Sequence, residues 1–358
     1  MRALAVILSL LSLVGSLAIA LPAPTRWLLP LGVAGPELSP WLVLFNVLGL
    51  VIAGLGFRPA LLVFVIGLFV SLRPISQIPV VEGSITSQFS VHPQNTFLKS
   101  LYRPDLPSIE PEVLALNMRL YRFGESAKPR PILINIYGGA WQRGEPTDDR
   151  RFAQYMAAKG YAVFAIDYRH APAAVFPAQV EDVNTAIAFI REHAVEYGAD
   201  ADRMALCGRS SGGQLALLAA YQKPASYIKA VIGFYPPTDL EQGFFDVPSP
   251  DPLRVRSILL TYLGGTPTQI PDTYRAASPV TYAGRPQPPT LLLQGGRDHI
   301  VKPQFARELF DKLKAGGTRA YLVELPWSEH AFDAELLGPG TVLALAAIEP
   351  FLQQAMIQ

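Results

Sequence analysis

Five consecutive residues carry the clearest chemical meaning in this chain: Gly208-Arg209-Ser210-Ser211-Gly212. They follow the short apolar run 204–207 and precede the helix-like run 214–220. This order predicts a strand, a sharp turn and a helix, with Ser210 at the apex of the turn. Such a turn presents the serine hydroxyl above a sheet, and the two glycines avoid collisions with the neighbouring strand and helix. Ser210 is therefore the predicted nucleophile.

A serine hydroxyl becomes reactive only when a base removes its proton, and two later residues fit the supporting roles. Asp298 follows the apolar run 290–294 and two glycines, and His330 follows a further strand-like run. His330 can accept a proton near neutral pH. Asp298 would hold the imidazole in one tautomer and stabilise the imidazolium ion. The predicted catalytic residues are Ser210, Asp298 and His330.

A glycine pair upstream of the serine supplies candidate donors for a developing oxyanion. The segment Tyr137-Gly138-Gly139-Ala140-Trp141 ends an early apolar strand. Backbone N–H groups there and at Ser211 can be aimed at a tetrahedral intermediate, because glycine lets the backbone approach a substrate closely. The predicted oxyanion hole consists of Gly138, Gly139, Ala140 and Ser211.

Strand-like and helix-like runs alternate from residue 113 onward, and this pattern predicts a mostly parallel sheet covered by helices on both faces. The fold class is therefore α/β. Strands are predicted at residues 113–121, 132–137, 162–167, 204–207, 230–234, 290–294 and 321–324. Helices are predicted at residues 148–158, 178–197, 212–221, 303–315 and 340–354. The aromatic-rich and proline-rich region 239–279 breaks the alternation and is predicted to form a lid or pocket wall.

The N-terminal part, residues 1–79, has a different composition, with three uncharged apolar segments at 3–21, 41–57 and 60–72. A membrane span needs about 20 apolar residues, so these segments predict transmembrane helices, the third being short, extended at its ends or re-entrant. Arg2 and Ala18-Ile19-Ala20 also fit a cleavable secretory signal. Core helices of a soluble domain are the remaining alternative.

Residues 80–358 are the predicted catalytic domain, with an irregular link over residues 84–111. With a cytoplasmic N-terminus, either three spans or a cleaved signal followed by a two-span hairpin places this domain on the non-cytoplasmic side. The net charge of +1 gives no electrostatic argument for nucleic-acid binding. The single cysteine, Cys207, excludes an internal disulfide and a cysteine-based metal cluster.

Further short motifs carry a resemblance to a known family. The chain from about residue 113 to its C-terminus resembles the α/β-hydrolase superfamily, in its hormone-sensitive-lipase-like and acetyl- or feruloyl-esterase-like branches. Besides the residues above, the resemblance rests on Asp167-Tyr168-Arg169 with Ala171-Pro172, Phe176-Pro177-Ala178 with Asp182, Gly198-Ala199-Asp200, and Asp202-Arg203. One departure is Tyr137, where the family usually has a histidine that orders the oxyanion loop. The tyrosine hydroxyl is expected to do so instead.

The resemblance implies the α/β-hydrolase fold and a serine carboxylesterase or lipase that uses no metal and no organic cofactor. Prenylcysteine-methylesterase-like members also join membrane spans to such a domain, so the substrate is expected to be a small-molecule or lipidic ester. Three alternatives stay open at this point. The same residues could transfer the acyl group to an acceptor other than water, cleave an amide such as an arylformamide, or belong to a non-catalytic scaffold. The oligomeric state is not predicted.

Overall fold

The computed structural model describes residues 2–334 and 336–356, and within them the chain forms an eight-stranded sheet. The strands are β1 (Glu112–Val113), β2 (Arg119–Tyr121), β3 (Arg130–Ile136), β4 (Ala162–Ile166), β5 (Ala199–Arg209), β6 (Ile228–Phe234), β7 (Thr290–Gly295) and β8 (Ala320–Leu325). Their spatial order is β1-β2-β4-β3-β5-β6-β7-β8. Strands β3 to β8 are parallel, whereas β1 and β2 form an antiparallel edge.

Helices cover both faces of the sheet. They are α1 (Arg2–Ala20), α2 (Leu29–Glu37), α3 (Ser39–Gly56), α4 (Leu61–Phe89), α5 (Thr96–Lys99), α6 (Arg150–Ala158), α7 (Ala178–Glu192), α8 (Ser211–Gln222), α9 (Leu240–Phe245), α10 (Val255–Leu263), α11 (Pro271–Ala277), α12 (Pro303–Ala315) and α13 (Pro339–Met356). One face packs against α7, α8 and α12, and the other against α4, α6 and α13. Successive strand residues alternate between these layers, as Leu133 and Ile134 do in β3.

Two local predictions were wrong. The predicted strand 113–121 is two short strands, because Leu116 and Asn117 adopt positive φ angles and interrupt it with a turn. The predicted irregular link begins too early, because α4 continues to Phe89. The buried residues Ile78, Val81, Ile85 and Phe89 recur every three or four positions, which is the period of a helix packed on one side.

The N-terminal region contains three stretches of helix that are long and apolar enough to cross a membrane, among the residues described: α1, α3, and the continuous stretch Arg58–Phe89 that includes α4. Residues Arg58–Ala60 form a 3-10 turn between α3 and α4. Large apolar side chains on the outer faces of all three helices are exposed, as Leu10, Leu48 and Phe69 illustrate. This pattern suits a lipid environment, because water would penalise such a surface.

Helix α4 passes without a break through residues 79 and 80, where the sequence suggests a domain boundary. Its second half packs against α13 and β8 in the hydrophobic core of the sheet domain. The same helix is therefore part of the N-terminal bundle, formed by α1, α2, α3 and the first half of α4, at one end, and of a helix layer of the sheet domain at the other.

Candidate active site

Ser210 lies at a strained turn between β5 and α8, as its sequence context predicts. Its φ and ψ are 51° and −119°, a region that costs energy for a residue with a side chain. A Cβ atom on Gly208 would lie 2.1 Å from the carbonyl oxygen of Gly212, and one on Gly212 would lie 2.2 Å from the carbonyl oxygen of Ile136. Both positions therefore require glycine, and the turn projects the Ser210 side chain beyond the sheet.

The structure brings Ser210, His330 and Asp298 together at the carboxyl ends of β5, β8 and β7. His330 Nε2 lies 3.0 Å from Ser210 Oγ, and His330 Nδ1 lies 2.7 Å from Asp298 Oδ2. With the proton on Nδ1, His330 donates to Asp298 and accepts the Ser210 hydroxyl proton. This arrangement suits proton transfer from the serine to the histidine.

Asp298 is held as an acceptor by several donors besides His330. Its Oδ1 accepts the backbone N–H groups of Ile300 at 2.9 Å and Val301 at 2.8 Å, and its Oδ2 accepts the Gln294 amide at 3.0 Å. Its side chain is fully buried. These bonds hold the carboxylate in the orientation that accepts the His330 N–H, and they thereby fix the orientation of the imidazole.

The loop after β3 has the unusual backbone that aimed N–H groups require. Gly139 has a φ of +140° and Ala140 a φ of 56°, and a Cβ on Gly139 would lie 2.0 Å from the carbonyl oxygen of Arg143. Among the described residues, no acceptor bonds the N–H of Gly139, Ala140 or Ser211. These three residues and Gly138 line one cavity together with Ser210 and His330. The predicted oxyanion-hole residues thus lie beside the serine.

Tyr137 anchors this loop through its hydroxyl, as the sequence suggests. The hydroxyl donates to Asp167 at 2.5 Å and lies 2.9 Å from His170 Nε2. Its ring stacks on Tyr168 with 4.5 Å between ring centroids. Asp182 bonds the Arg169 guanidinium at 2.8 Å, so the motif aspartates Asp167 and Asp182 are structural. Burial, with the Asp167 hydrogen bond, raises the pKa of Tyr137 and keeps its hydroxyl protonated.

The cavity above Ser210 has a volume of about 580 Å³. It is lined by the loop 138–141 and Ser210, and by an apolar wall that includes Leu240, Val255 and Leu259 of the region 239–279. That region folds into the short helices α9, α10 and α11. Such a cavity suits a substrate with one polar reacting group and an apolar chain.

Three aromatic side chains of this region, Phe244, Phe245 and Tyr262, are not among the residues that line the cavity. Tyr262 is buried and stacks on Trp141 at 4.1 Å, Phe244 packs against Tyr274, and Phe245 is exposed. Trp141 both packs and contributes to the cavity wall, with its indole N–H donating to Gln214 at 3.0 Å. Sequence reasoning did not identify the aliphatic wall, since the period of these short helices is hard to read from a proline-rich segment.

Comparison with known proteins identifies the family. A profile described as BD-FAE matches residues 118–313, which is more than half of the chain. The chain belongs to the BD-FAE family. This BD-FAE chain is similar to two Mycobacterium tuberculosis proteins, the probable carboxylic ester hydrolase LipM and the esterase LipC. It is 32% identical to LipM over 238 residues, which is 63% of this chain and 54% of LipM. It is 33% identical to LipC over 242 residues, which is 63% of this chain and 59% of LipC.

The chain thus spans little more than half the length of these curated relatives. A solved structure titled Thermogutta terrifontis esterase 2 phosphonylated by sarin superposes with a TM-score of 0.55 at 25% identity. It covers 70% of this BD-FAE chain and 94% of the esterase. The eight-stranded sheet, the helices on both faces and this similarity show the α/β-hydrolase fold.

A buried ion network lies directly behind the serine in this BD-FAE protein, and sequence reasoning missed it. The Arg209 guanidinium donates to Asp333 at 2.7 Å and to Asn135 at 3.1 Å, and it lies 3.3 Å from Asp149. The Tyr235 hydroxyl donates to Asp333 at 2.6 Å. A charged residue inside the glycine motif, Arg209, was the one sequence signal for this network. Its partners could not be predicted because they are far from it in the sequence. The network ties the serine turn to the loop that carries His330.

Proposed function

We propose that this protein is a membrane-anchored serine hydrolase that cleaves carboxylic esters through an acyl-serine intermediate. The observation that carries the proposal is the hydrogen-bonded series Ser210–His330–Asp298 at the base of the cavity, beside N–H groups that have no other acceptor among the described residues. Membership of the BD-FAE family and similarity to proteins named as ester hydrolases support ester chemistry.

In the acylation step, Ser210 Oγ attacks the ester carbonyl carbon while its proton passes to His330 Nε2. The carbonyl oxygen becomes an oxyanion, which the N–H groups of Gly139, Ala140 and Ser211 stabilise. The carbon–oxygen bond to the alcohol then breaks, and His330 returns the proton to the leaving alcohol. Asp298 stabilises the imidazolium ion during this exchange.

In the deacylation step, water gives its proton to His330 and attacks the acyl carbon. The second tetrahedral intermediate collapses, the acid leaves, and Ser210 regains its proton from His330. The same acyl-enzyme could react with an alcohol in place of water, so acyl transfer to an added alcohol has to be measured beside hydrolysis.

The substrate is a small-molecule or lipidic ester whose acyl chain occupies the apolar wall of the cavity. Leu240, Val255 and Leu259 of the region 239–279 supply that wall, and we propose this region as the lid. A cavity of about 580 Å³ has room for an apolar chain as well as the reacting ester.

The membrane anchor consists of the three candidate spans of the N-terminal bundle, α1, α3 and the first half of α4. The end of α1, the start of α3 and the second half of α4 all meet the sheet domain, as the contacts of Ile19, Trp41 and Ile85 illustrate. The N-terminus and the 3-10 turn at Arg58–Ala60 therefore lie at the opposite end of the bundle. With the N-terminus in the cytoplasm, this arrangement places the sheet domain on the non-cytoplasmic side.

The first experiment is labelling of the full-length protein in detergent with a fluorophosphonate probe. We expect wild type to be labelled and Ser210→Ala to lose both labelling and at least about 10⁴-fold in kcat. Ser87→Ala, which changes an exposed serine on α4, is the matched control and keeps both. A p-nitrophenyl ester series of increasing chain length then measures the size of the acyl site, with and without an alcohol acceptor.

The result that overturns the proposal is a folded wild-type protein that the probe does not label. Labelling with turnover only on amide substrates would replace esters by amides as the substrate class. Formation of a new ester in the presence of the alcohol would identify an acyltransferase.

A further inference from the structure

A buried carboxylate links the N-terminal bundle to the loop that carries His330. Glu37 ends α2, between the first two candidate membrane spans, and its side chain is almost completely buried. The Ser328 hydroxyl donates to Glu37 Oε1 at 2.5 Å, and the Gly340 N–H donates to Oε2 at 2.8 Å. Burial raises the pKa of Glu37 to about 7, with Asp333 adding to the effect. A buried carboxyl group needs such partners, because an unpaired one would be strongly destabilising.

The two partners of Glu37 lie on either side of His330 in the sequence. Ser328 is two residues before His330, and Gly340 is in the first turn of α13, after the loop. The chain also closes tightly around the carboxylate. A Cβ on Gly338 would lie 2.6 Å from Glu37 Oε2, and a Cβ on Gly340 would lie 2.8 Å from Oε1. Glu37 therefore holds both ends of the segment that presents the imidazole to Ser210.

A second contact joins the bundle to the loop of Asp298. The Arg297 guanidinium donates to the carbonyl oxygen of Ile19 in the last turn of α1. The Arg297 N–H donates to the Ser328 carbonyl oxygen at 3.0 Å. Beside them, His299 Nδ1 lies 2.6 Å from Glu329 Oε2. The loops that carry Asp298 and His330 are thus bonded to each other at the place where the bundle meets them.

We infer that Glu37 is a positioning residue through which the N-terminal bundle sets the place of His330 relative to Ser210. The inference rests on the proposed function, because it concerns the same Ser210–His330 pair. A shift of about 1 Å between a base and its nucleophile can lower a rate by about 100-fold. Glu37 on α2 would then act on the geometry of the site, in addition to the anchoring role proposed for the neighbouring helices.

The test compares Glu37→Ala with Glu37→Gln in the full-length protein in detergent. The amide that Glu37→Gln introduces can accept the Gly340 N–H with its oxygen and donate to the Ser328 hydroxyl with its nitrogen, so this variant keeps both bonds without a charge. We expect Glu37→Ala to lower kcat and the rate of fluorophosphonate labelling by roughly 10- to 100-fold with KM changed less than about threefold. Glu37→Gln is expected to keep most of the wild-type kcat and labelling rate.

The extent of labelling at long times counts folded sites, and it separates positioning from unfolding. Ser328→Ala is a milder variant that removes one of the two bonds, and it is expected to lower the labelling rate less than Glu37→Ala does. Trp41→Phe is the matched control, because the Trp41 indole donates to the Leu101 carbonyl at 2.7 Å, a contact that includes no residue of the loops that carry Asp298 and His330. Its kcat is expected to stay unchanged.

Three results overturn the inference. Equal labelling rates and kcat values for wild type and Glu37→Ala would show that Glu37 does not position His330. A fall in the final extent of labelling, with normal kcat per labelled site, would show a role in folding alone. Absence of labelling in wild type would overturn the proposed function, and the inference with it.

Discussion

The two halves of helix α4 face different environments. In the first half, large apolar side chains point outward and stay exposed, namely Leu62, Val65, Ile66 and Phe69. In the second half, one apolar face is buried against the sheet domain, namely Ile78, Val81, Ile85 and Phe89. One continuous helix thus has an exposed apolar surface, which suits the proposed membrane span, at its start and a buried apolar face in the core of the sheet domain at its end. The domain is held by a shared helix, not by a flexible linker.

The difference in environment implies a difference in what stabilises each half. Burial of apolar surface away from water stabilises the second half by about 25 cal/mol per Å². In the proposed membrane location, lipid would remove that driving force between helices, so close packing and polar contacts would hold α1, α3 and the first half of α4 together. A Cβ on Gly67 of α4 would lie 2.3 Å from Ser12 Oγ and 2.5 Å from Asn46 Oδ1, which shows how closely these helices approach.

The largest expected effect is a difference in stability when isoleucine is replaced by alanine in each of the two halves of α4. Ile85→Ala removes a fully buried side chain and is expected to cost about 2–5 kcal/mol of the free energy of unfolding. Ile66→Ala changes a side chain that is half exposed and is expected to cost less than about 1 kcal/mol. Denaturant unfolding of both variants in the same detergent measures the difference. Equal costs would mean that the two halves are not stabilised differently.

The second prediction concerns the junction, where Glu37 is a carboxyl group buried between the two regions. Its pKa, raised from 4.5 to about 7 chiefly by burial, means that the folded protein holds the proton more tightly than the unfolded chain. The free energy of unfolding therefore falls as the pH rises from about 4.5 to 7, by about 3 kcal/mol from this group. Glu37→Gln lacks this dependence. It is expected to unfold at a higher temperature than wild type at pH 8, with the advantage vanishing near pH 4.5.

Thermal unfolding at about pH 4.5 and about pH 8, the two ends of this range, measures the effect. Trp41→Phe again provides a control at the same interface. A constant difference between Glu37→Gln and wild type across the range would contradict a titrating Glu37.

The smallest expected effect lies inside the bundle. Asn46 accepts the Ser12 hydroxyl at 2.5 Å and donates to the Leu42 carbonyl at 2.7 Å. Hydrogen bonds between membrane helices contribute about 0.6 kcal/mol on average and at most about 2 kcal/mol, so Asn46→Ala is expected to cost about 1 kcal/mol. The exposed substitution Leu48→Ala on the same helix is the control. A cost above about 3 kcal/mol would mean that the interior of the bundle behaves like a water-soluble core.

Much of the candidate site could be predicted from sequence, because its signals are local. The glycines on both sides of Ser210 indicate a turn so tight that a side chain at either position would collide with the backbone. The apolar runs before Asp298 and His330 indicate strands that end close to these residues. The period-two and period-3.6 patterns predict most strands and helices for the same reason. The strand 113–121 and the link after residue 84 were misjudged because a left-handed turn and a helix face buried by tertiary packing leave weak local signals.

By itself, the sequence determined the serine turn, the glycine loop, the order of the site residues and the apolar character of the N-terminal segments, since each depends on neighbouring residues. Tertiary structure alone decided the partners of Arg209, the aliphatic wall of the cavity and the contact of Glu37 with the chain on both sides of His330. These contacts join residues far apart in the chain. Their strength comes from shared burial, where a charge or hydroxyl must find a partner, and no local pattern specifies which partner that is.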